Sequence, residues 1–435
     1  MVDYYLGTPL DDPNAYVLIE ADTVGDQLID LYHLNDYVYT NKSGKRMITF
    51  RLAKAMYGYP AAGLLSFKRL KTALEAADFY EHPIVDCLFL HKTRSIAFAL
   101  IVDDMGIKFD NEDDLQYLIS TITPHWKVKL DRSGTKFLGM TLQWNYDIPL
   151  PMVTLSAPTT IPDALAKFCK HKHMKGRSTP SPYAQIHYGS KVLDAPFDDD
   201  APAPPGSALY VQEVTGTFGH HSRVIDYALL EAVTAIARTQ AAPTVDTMKR
   251  VDHLLQYAFS HQNNTITFVA SEMIVTTHTD ASYQSIPFSR SKLGGVHYCS
   301  NKSDPPTKVN GLFSVKSKII PIVCAGASDA EYGAAFTNCQ DAYFFRIVAD
   351  ALGYPQPPTP IYIDNDIARG IGDRTVKVKR SRSIEKCFHW LRDRVALKDF
   401  ELRRVNTKDN VADYFTKSVT PQRHDELIPF INKRL

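Results

Sequence analysis

In the last third of the chain, short runs of apolar and polar residues alternate with the period of two expected of strands, and between them the spacing turns helical. MIVTTH at 273–278 leads into Asp280, and 294–300 and 315–322 read as two further strands. Residues 329–352 carry the spacing of a long helix, and 360–364 read as another strand, ending at Asp364. Helices are predicted over 384–397 and 411–417, with a strand at 400–405 between them. Strands alternating with helices in this way imply a mixed sheet with flanking helices. Nearer the start, 88–109 reads as an apolar strand, a tight turn at Asp103 and Asp104, and a return strand, which is a β-hairpin with two carboxylates at its tip. In the middle, 214–240 and 244–260 have apolar residues at helical spacing that belong to a core. Residues 194–206, rich in Asp, Pro and Ala, read as a linker or exposed loop.

A chain of 435 residues is long enough for two or three hydrophobic cores. With 49 Lys and Arg against 48 Asp and Glu, the formal net charge is +1, so any nucleic-acid surface must come from local basic clusters and not from a global field. Six scattered cysteines without a CxxC pair suit a reduced compartment, cytoplasmic or nuclear. Runs such as IAFALIV are too short to span a bilayer, no secretory signal is read at the start, and no fixed repeat is evident. Oligomeric state leaves no mark on the sequence.

Four carboxylates fall at strand ends and helix starts: Asp280 in THTDASY, Glu331 in SDAEYGAAF, Asp364 in IYIDNDIA and Asp413 in NVADYFTK. Each has an ordinary reading. Asp280 would open the turn after its strand, and Glu331 stands three residues after Ser328, the spacing of a capping box. Asp364 with Asn365 suits an Asx turn into a helix, and Asp413 suits a helix start, where the dipole favours an acid. Drawn together, four acids repel unless hard cations neutralise them, and such a cluster is the means of two-metal phosphodiester cleavage.

These motifs, with RSIEKCFHWLRDRV and the extended NVADYFTKSV, resemble the ribonuclease H domain of copia-type LTR retrotransposon Pol polyproteins. The resemblance implies that Asp280, Glu331, Asp364 and Asp413 hold two magnesium (or manganese) ions and hydrolyse the RNA strand of an RNA:DNA hybrid. The run RTVKVKRSR, with Arg374, Lys377, Lys379, Arg380 and Arg382, would grip phosphates of the nucleic-acid backbone; its alternative is a solvated basic loop. Little sequence preference is expected, because such hybrids are recognised by shape and 2′-hydroxyls.

The opening YYLGTPLDD, then FRLAKAMYGYPAAG, LFLHKTRSIAFALIVDDMGIKF and TKFLGMTL, resemble the reverse transcriptase palm of the same family. Asp103 and Asp104 match its paired metal-binding aspartates. The family's third aspartate lies ahead of the YLG motif, and Asp3 stands in the wrong register for it. Ala61 replaces the usual glutamine, Ile101 replaces the usual aromatic residue, and most of the fingers are missing. Polymerase activity is therefore not expected from these residues. Residues 159–270 resemble the thumb and connection. Cys169, His171 and His173, within KFCKHKHMKGR, lack the second pair a metal site needs, so that segment reads as a basic helix end. The expected fold is α+β or mixed α/β: a partial reverse transcriptase palm (1–145), a helical thumb and connection (146–270), and a ribonuclease H-like mixed five-stranded sheet with flanking helices (271–435). The alternative to a nuclease is an inactive relic that binds nucleic acid without turnover.

Overall fold

The computed structural model describes residues 1, 3–169, 174–183, 201–286, 289–321, 323–375 and 385–434. The fold is mixed α+β, and the chain divides into two compact units, Met1–Arg132 and Ser133–Leu435. Among the described residues no helix is long and apolar enough to cross a membrane.

The first unit contains two antiparallel sheets. Strands β1 (Tyr16–Glu20), β2 (Tyr39–Thr40) and β3 (Arg46–Arg51) form one, in the order β1-β3-β2, beside short helices α1 (Ala21–Val24) and α2 (Asp26–Leu31). Strands β4 (Phe79–Glu81), β5 (Leu88–His91), β6 (Ile96–Ile101) and β7 (Asp104–Phe109) form the other in sequential order. Helices α3 (Ala62–Glu75) and α4 (Glu112–Ile122) supply Leu70, Leu74, Leu118 and Ile122 to a core shared with Phe79, Phe89 and Phe98. Asn111 caps α4 by accepting a hydrogen bond from the Asp114 N–H, as an Asn followed by three acids leads one to expect.

The second unit begins with a sheet ordered β17-β11-β10-β9-β8, made of β8 (Lys136–Phe137), β9 (Met140–Asn145), β10 (Met152–Ser156), β11 (Asn264–Val269) and β17 (Lys433–Arg434). Helices α5 (Thr160–Phe168), α6 (Ser207–Val224), α7 (Leu230–Ala237) and α8 (Val245–Ser260) pack through Ile161, Val211, Phe218, Val233, Leu254 and Tyr257. The apolar positions expected to be core are core.

The remaining sheet is the one the C-terminal periodicity foretold. It has the order β14-β13-β12-β15-β16, from β12 (Ile274–Ile286), β13 (Arg290–Ser300), β14 (Leu312–Ile319), β15 (Thr359–Ile363) and β16 (Phe400–Arg404). The first three strands run antiparallel; β15 joins β12 in parallel and β16 joins β15 in parallel. Parallel neighbours need a crossover. The 25-residue α9 (Ala327–Ala351) lies between β14 and β15, and α10 (Asp366–Gly372) and α11 (Glu385–Ala396) lie between β15 and β16. Helix α12 (Pro421–Ile431) closes the described chain before β17.

Three local expectations are corrected. Asp280 does not end its strand: β12 runs on to Ile286, because β13 continues opposite it with Asp280 facing Gly294 and Ser282 facing Lys292. Ser328 does not head a capping box, since α9 starts at Ala327 with Gly326 at its N-cap and no side-chain cap. Residues 411–415 form a 3-10 turn instead of an α-helix, closed by Asn410, whose side chain accepts from the Ala412 N–H.

Candidate metal centre

Each acid reaches the site from a different element, and for Asp364 and Asp413 the ordinary capping job is done by a neighbour. Asp280 projects from the interior of β12. Glu331 lies in the first turns of α9, beneath which Asn338 donates to Thr279 Oγ1 (2.8 Å) and to the Gly294 carbonyl (2.9 Å), tying the helix to β12 and β13. Asp364 follows the last residue of β15. The cap expected of the Asp364–Asn365 pair falls to Asn365, whose Oδ1 accepts from the N–H groups of Ile367 and Ala368, leaving the Asp364 carboxylate for the site. Asn410 likewise takes the cap before Asp413, and its amide also donates to the Thr279 carbonyl at 3.0 Å.

Carboxylate oxygens of Asp280, Glu331 and Asp364 all lie within 4.8 Å of one another. Asp280 and Glu331 are 5% and 9% exposed, so little water screens their mutual repulsion. Burial, then the charges of Asp413 and Asp364, pushes the Asp280 carboxyl well above its ordinary range. Burial, then Asp280 and Asp364, does the same to Glu331. Asp364 is raised chiefly by burial, against hydrogen bonds from Thr407 and Asn410. Among the described residues Glu331 Oε2 is buried without a hydrogen-bond partner. A buried, unsatisfied carboxylate oxygen facing two more carboxylates is a donor set for a hard divalent cation.

Asp413 is buried beside this trio and held by cations. Lys417 Nζ lies 2.6 Å from its Oδ1, and Arg423 Nε 3.7 Å from its Oδ2. Thr416 donates its hydroxyl to Asp280 Oδ2 at 2.9 Å. Reading the sequence for acids passed over Thr416, Lys417 and Arg423. Lys417 could have been found, because it stands four residues after Asp413, a spacing at which opposite charges meet on a helical turn. Arg423 carries no such local signal.

Asp103 shares a two-residue loop with Val102, while Asp104 opens β7 opposite Ile101, so one carboxylate and not two sits at the hairpin tip. Val102 takes a φ of 57°, unusual for a β-branched residue. Arg374 is exposed just beyond α10 with a φ of 67°. Lys377, Lys379, Arg380 and Arg382 lie outside the described residues, as do His171 and His173.

No family model matches the chain. It is 22% identical over 391 residues to the retrovirus-related Pol polyprotein of transposon TNT 1-94 from Nicotiana tabacum, a match covering 88% of this chain. The chain is a relative of transposon Pol polyproteins. A second such match, to the transposon Ty1-NL2 Gag-Pol polyprotein of Saccharomyces cerevisiae, is 19% identical over 381 residues and covers 84% of the chain. The chain spans only 28% and 21% of the lengths of these Pol relatives. Among solved structures, the foamy viral protease-reverse transcriptase in complex with RNA/DNA hybrid aligns over 85% of this chain and 41% of its own, at 10% identity and a TM-score of 0.42.

Proposed function

We propose that this chain is a retrotransposon reverse transcriptase and ribonuclease H fragment that hydrolyses the RNA strand of RNA:DNA hybrids. The observation carrying this reading is the convergence of Asp280, Glu331 and Asp364, from three separate elements, to within 4.8 Å of one another. In this reading residues 1–145 are a partial palm, 146–270 the thumb and connection, and 271–435 the nuclease domain.

Asp280, Glu331, Asp364 and Asp413 would hold two magnesium or manganese ions. When bound, these supply an activated water and neutralise charge developing on the scissile phosphate and the leaving 3′ oxygen. The chain's own contribution is preorganisation. Thr416 fixes one oxygen of Asp280, Asn338 fixes α9 and with it Glu331, and Asn365 and Asn410 cap the turns that carry Asp364 and Asp413. Burial strengthens every charge interaction at the site. Arg374, with Lys377, Lys379, Arg380 and Arg382, would contact the hybrid's phosphates. Asp103 and Asp104 would be the paired metal-binding aspartates of the palm, and no polymerase activity is assigned to these residues.

The test is cleavage of a labelled RNA:DNA hybrid by the purified chain with magnesium, beside Asp364→Asn and beside single-stranded RNA. Hybrid-specific cutting that is lost in the variant supports the proposal. A folded chain that binds hybrid but does not cut it overturns the proposal in favour of a binding relic.

A further inference from the structure

Asp280, Glu331 and Asp364 lie close together with the Asp413 charge beside them, and their mutual repulsion calls for an offsetting positive charge. Among the described residues a positive charge stands four residues after Asp413: Lys417 Nζ, 2.6 Å from Oδ1. The Lys417 charge also favours the ionised forms of Asp280 and Glu331, so it acts on the cluster and not on one partner alone. Arg423 is a different kind of neighbour. It stands farther off, at 3.7 Å, and its guanidinium is anchored by donation to the carbonyls of Lys408 (2.8 Å) and Thr407 (3.2 Å) and by pairing with Glu426 (3.1 Å). Lys417 sits on a four-carbon stem, and its side chain is 36% exposed.

Resting on the proposed two-metal reading, we infer that Lys417 is a resident counter-ion that competes with divalent cation for Asp413, so that filling of the site is ordered. Asp280, Glu331 and Asp364 accept the first ion, and an ion reaching Asp413 must displace the Lys417 ammonium from its oxygen. Lys417 is thus a positioning residue that sets the affinity of the weaker ion. The neighbouring Thr416 hydroxyl on Asp280 is uncharged and does not compete.

The experiment is a manganese titration of the full chain, read by electron paramagnetic resonance of the free ion and by calorimetry, without nucleic acid. Proteins compared are wild type, Lys417→Met, Lys417→Gln, Lys417→Arg and Asp364→Asn. Lys417→Met and Lys417→Gln should each tighten the weaker ion by about tenfold, within the usual span of coupling between sites. Lys417→Arg should retain the wild-type isotherm. In an Asp413→Asn background, Lys417→Met should change nothing further. Wild-type binding that is abolished in Asp364→Asn but unchanged in both Lys417 variants overturns the competition while leaving the metal site. No manganese bound by folded wild type overturns the two-metal reading itself, and this inference with it.

Discussion

Thr416 and Asp280 are separated by 136 residues of chain, yet the Thr416 hydroxyl donates to Asp280 Oδ2 at 2.9 Å. This hydrogen bond fastens the turn carrying Asp413 to the strand carrying Asp280, and it engages one of the two oxygens that the nuclease reading needs in a set direction.

Thr416→Val keeps the shape and removes that donor. A hydrogen bond to a charged group is worth about 1.5–3 kcal/mol, roughly ten- to a hundredfold in rate if it is fully used at the site. Hybrid cleavage should fall by that factor in kcat, and Thr416→Ser, which keeps the hydroxyl, should restore it. Equal kcat in Val and wild type would show that the hydroxyl serves packing alone.

Gly294 faces Asp280 across the β12–β13 ladder, and a Cβ there would run into the Ala412 carbonyl and lie 2.9 Å from Thr416 Cγ2. Gly294→Ala should therefore displace the 411–416 turn. We expect a loss of about 1–3 kcal/mol in urea unfolding, as for other overpacked cores, together with loss of hybrid cleavage. Unaltered stability and cleavage would mean that the turn yields freely.

The raised carboxyls of Asp280 and Glu331 make a statement about pH. In the native state they bind protons more tightly than in the unfolded chain. From their ordinary values near 4 up to their raised folded values, stability from this source therefore falls as pH rises. His221 and His278, each lowered to about 4, and His297, lowered to about 3, act in the opposite sense. They are buried neutral, and their contribution is lost as pH drops below about 6.5. The two effects separate in the magnesium-dependent increment of Tm, because the histidines contribute to both arms. That increment should grow as pH rises above the ordinary carboxylate range, as protons cease to compete with the cation. It should be largely absent in Asp280→Asn. A pH-independent increment would contradict the clustered-acid geometry.

Lys292 of β13 and Glu231 of α7 form an ion pair of 2.8 Å with side chains only 6% and 11% exposed. Burial works against the ionised Glu231, but the Lys292 charge and hydrogen bonds from Lys292 and Ser181 outweigh it and leave the carboxyl below its usual range. Lys292→Met strands a buried carboxylate and should cost about 3–5 kcal/mol, whereas Lys292→Met with Glu231→Leu should recover most of it. Chemical denaturation of the two variants decides this, and equal loss in both would show that volume and not charge governs the contact.

The sequence by itself determined a great deal here. Strand and helix periodicity marked the elements of the β14-β13-β12-β15-β16 sheet, and motifs resembling a known family singled out Asp280, Glu331, Asp364 and Asp413, because both signals are local and survive without a partner in view. The i, i+4 step from Asp413 to Lys417 was legible in the same way. What the tertiary structure decided was non-local. Asp280 sits inside a strand and not at its end because β13 supplies backbone partners on past it, and no pattern within β12 announces how far its neighbour extends. Glu331 lies inside α9 and closes no capping box, because α9 begins one residue before Ser328. Arg423 meets Asp413, Thr416 meets Asp280, and Lys292 meets Glu231 only once sheet and helices have packed. A charge or hydroxyl takes its role from the burial and the partners that packing provides, and these belong to the folded chain rather than to any one stretch of it.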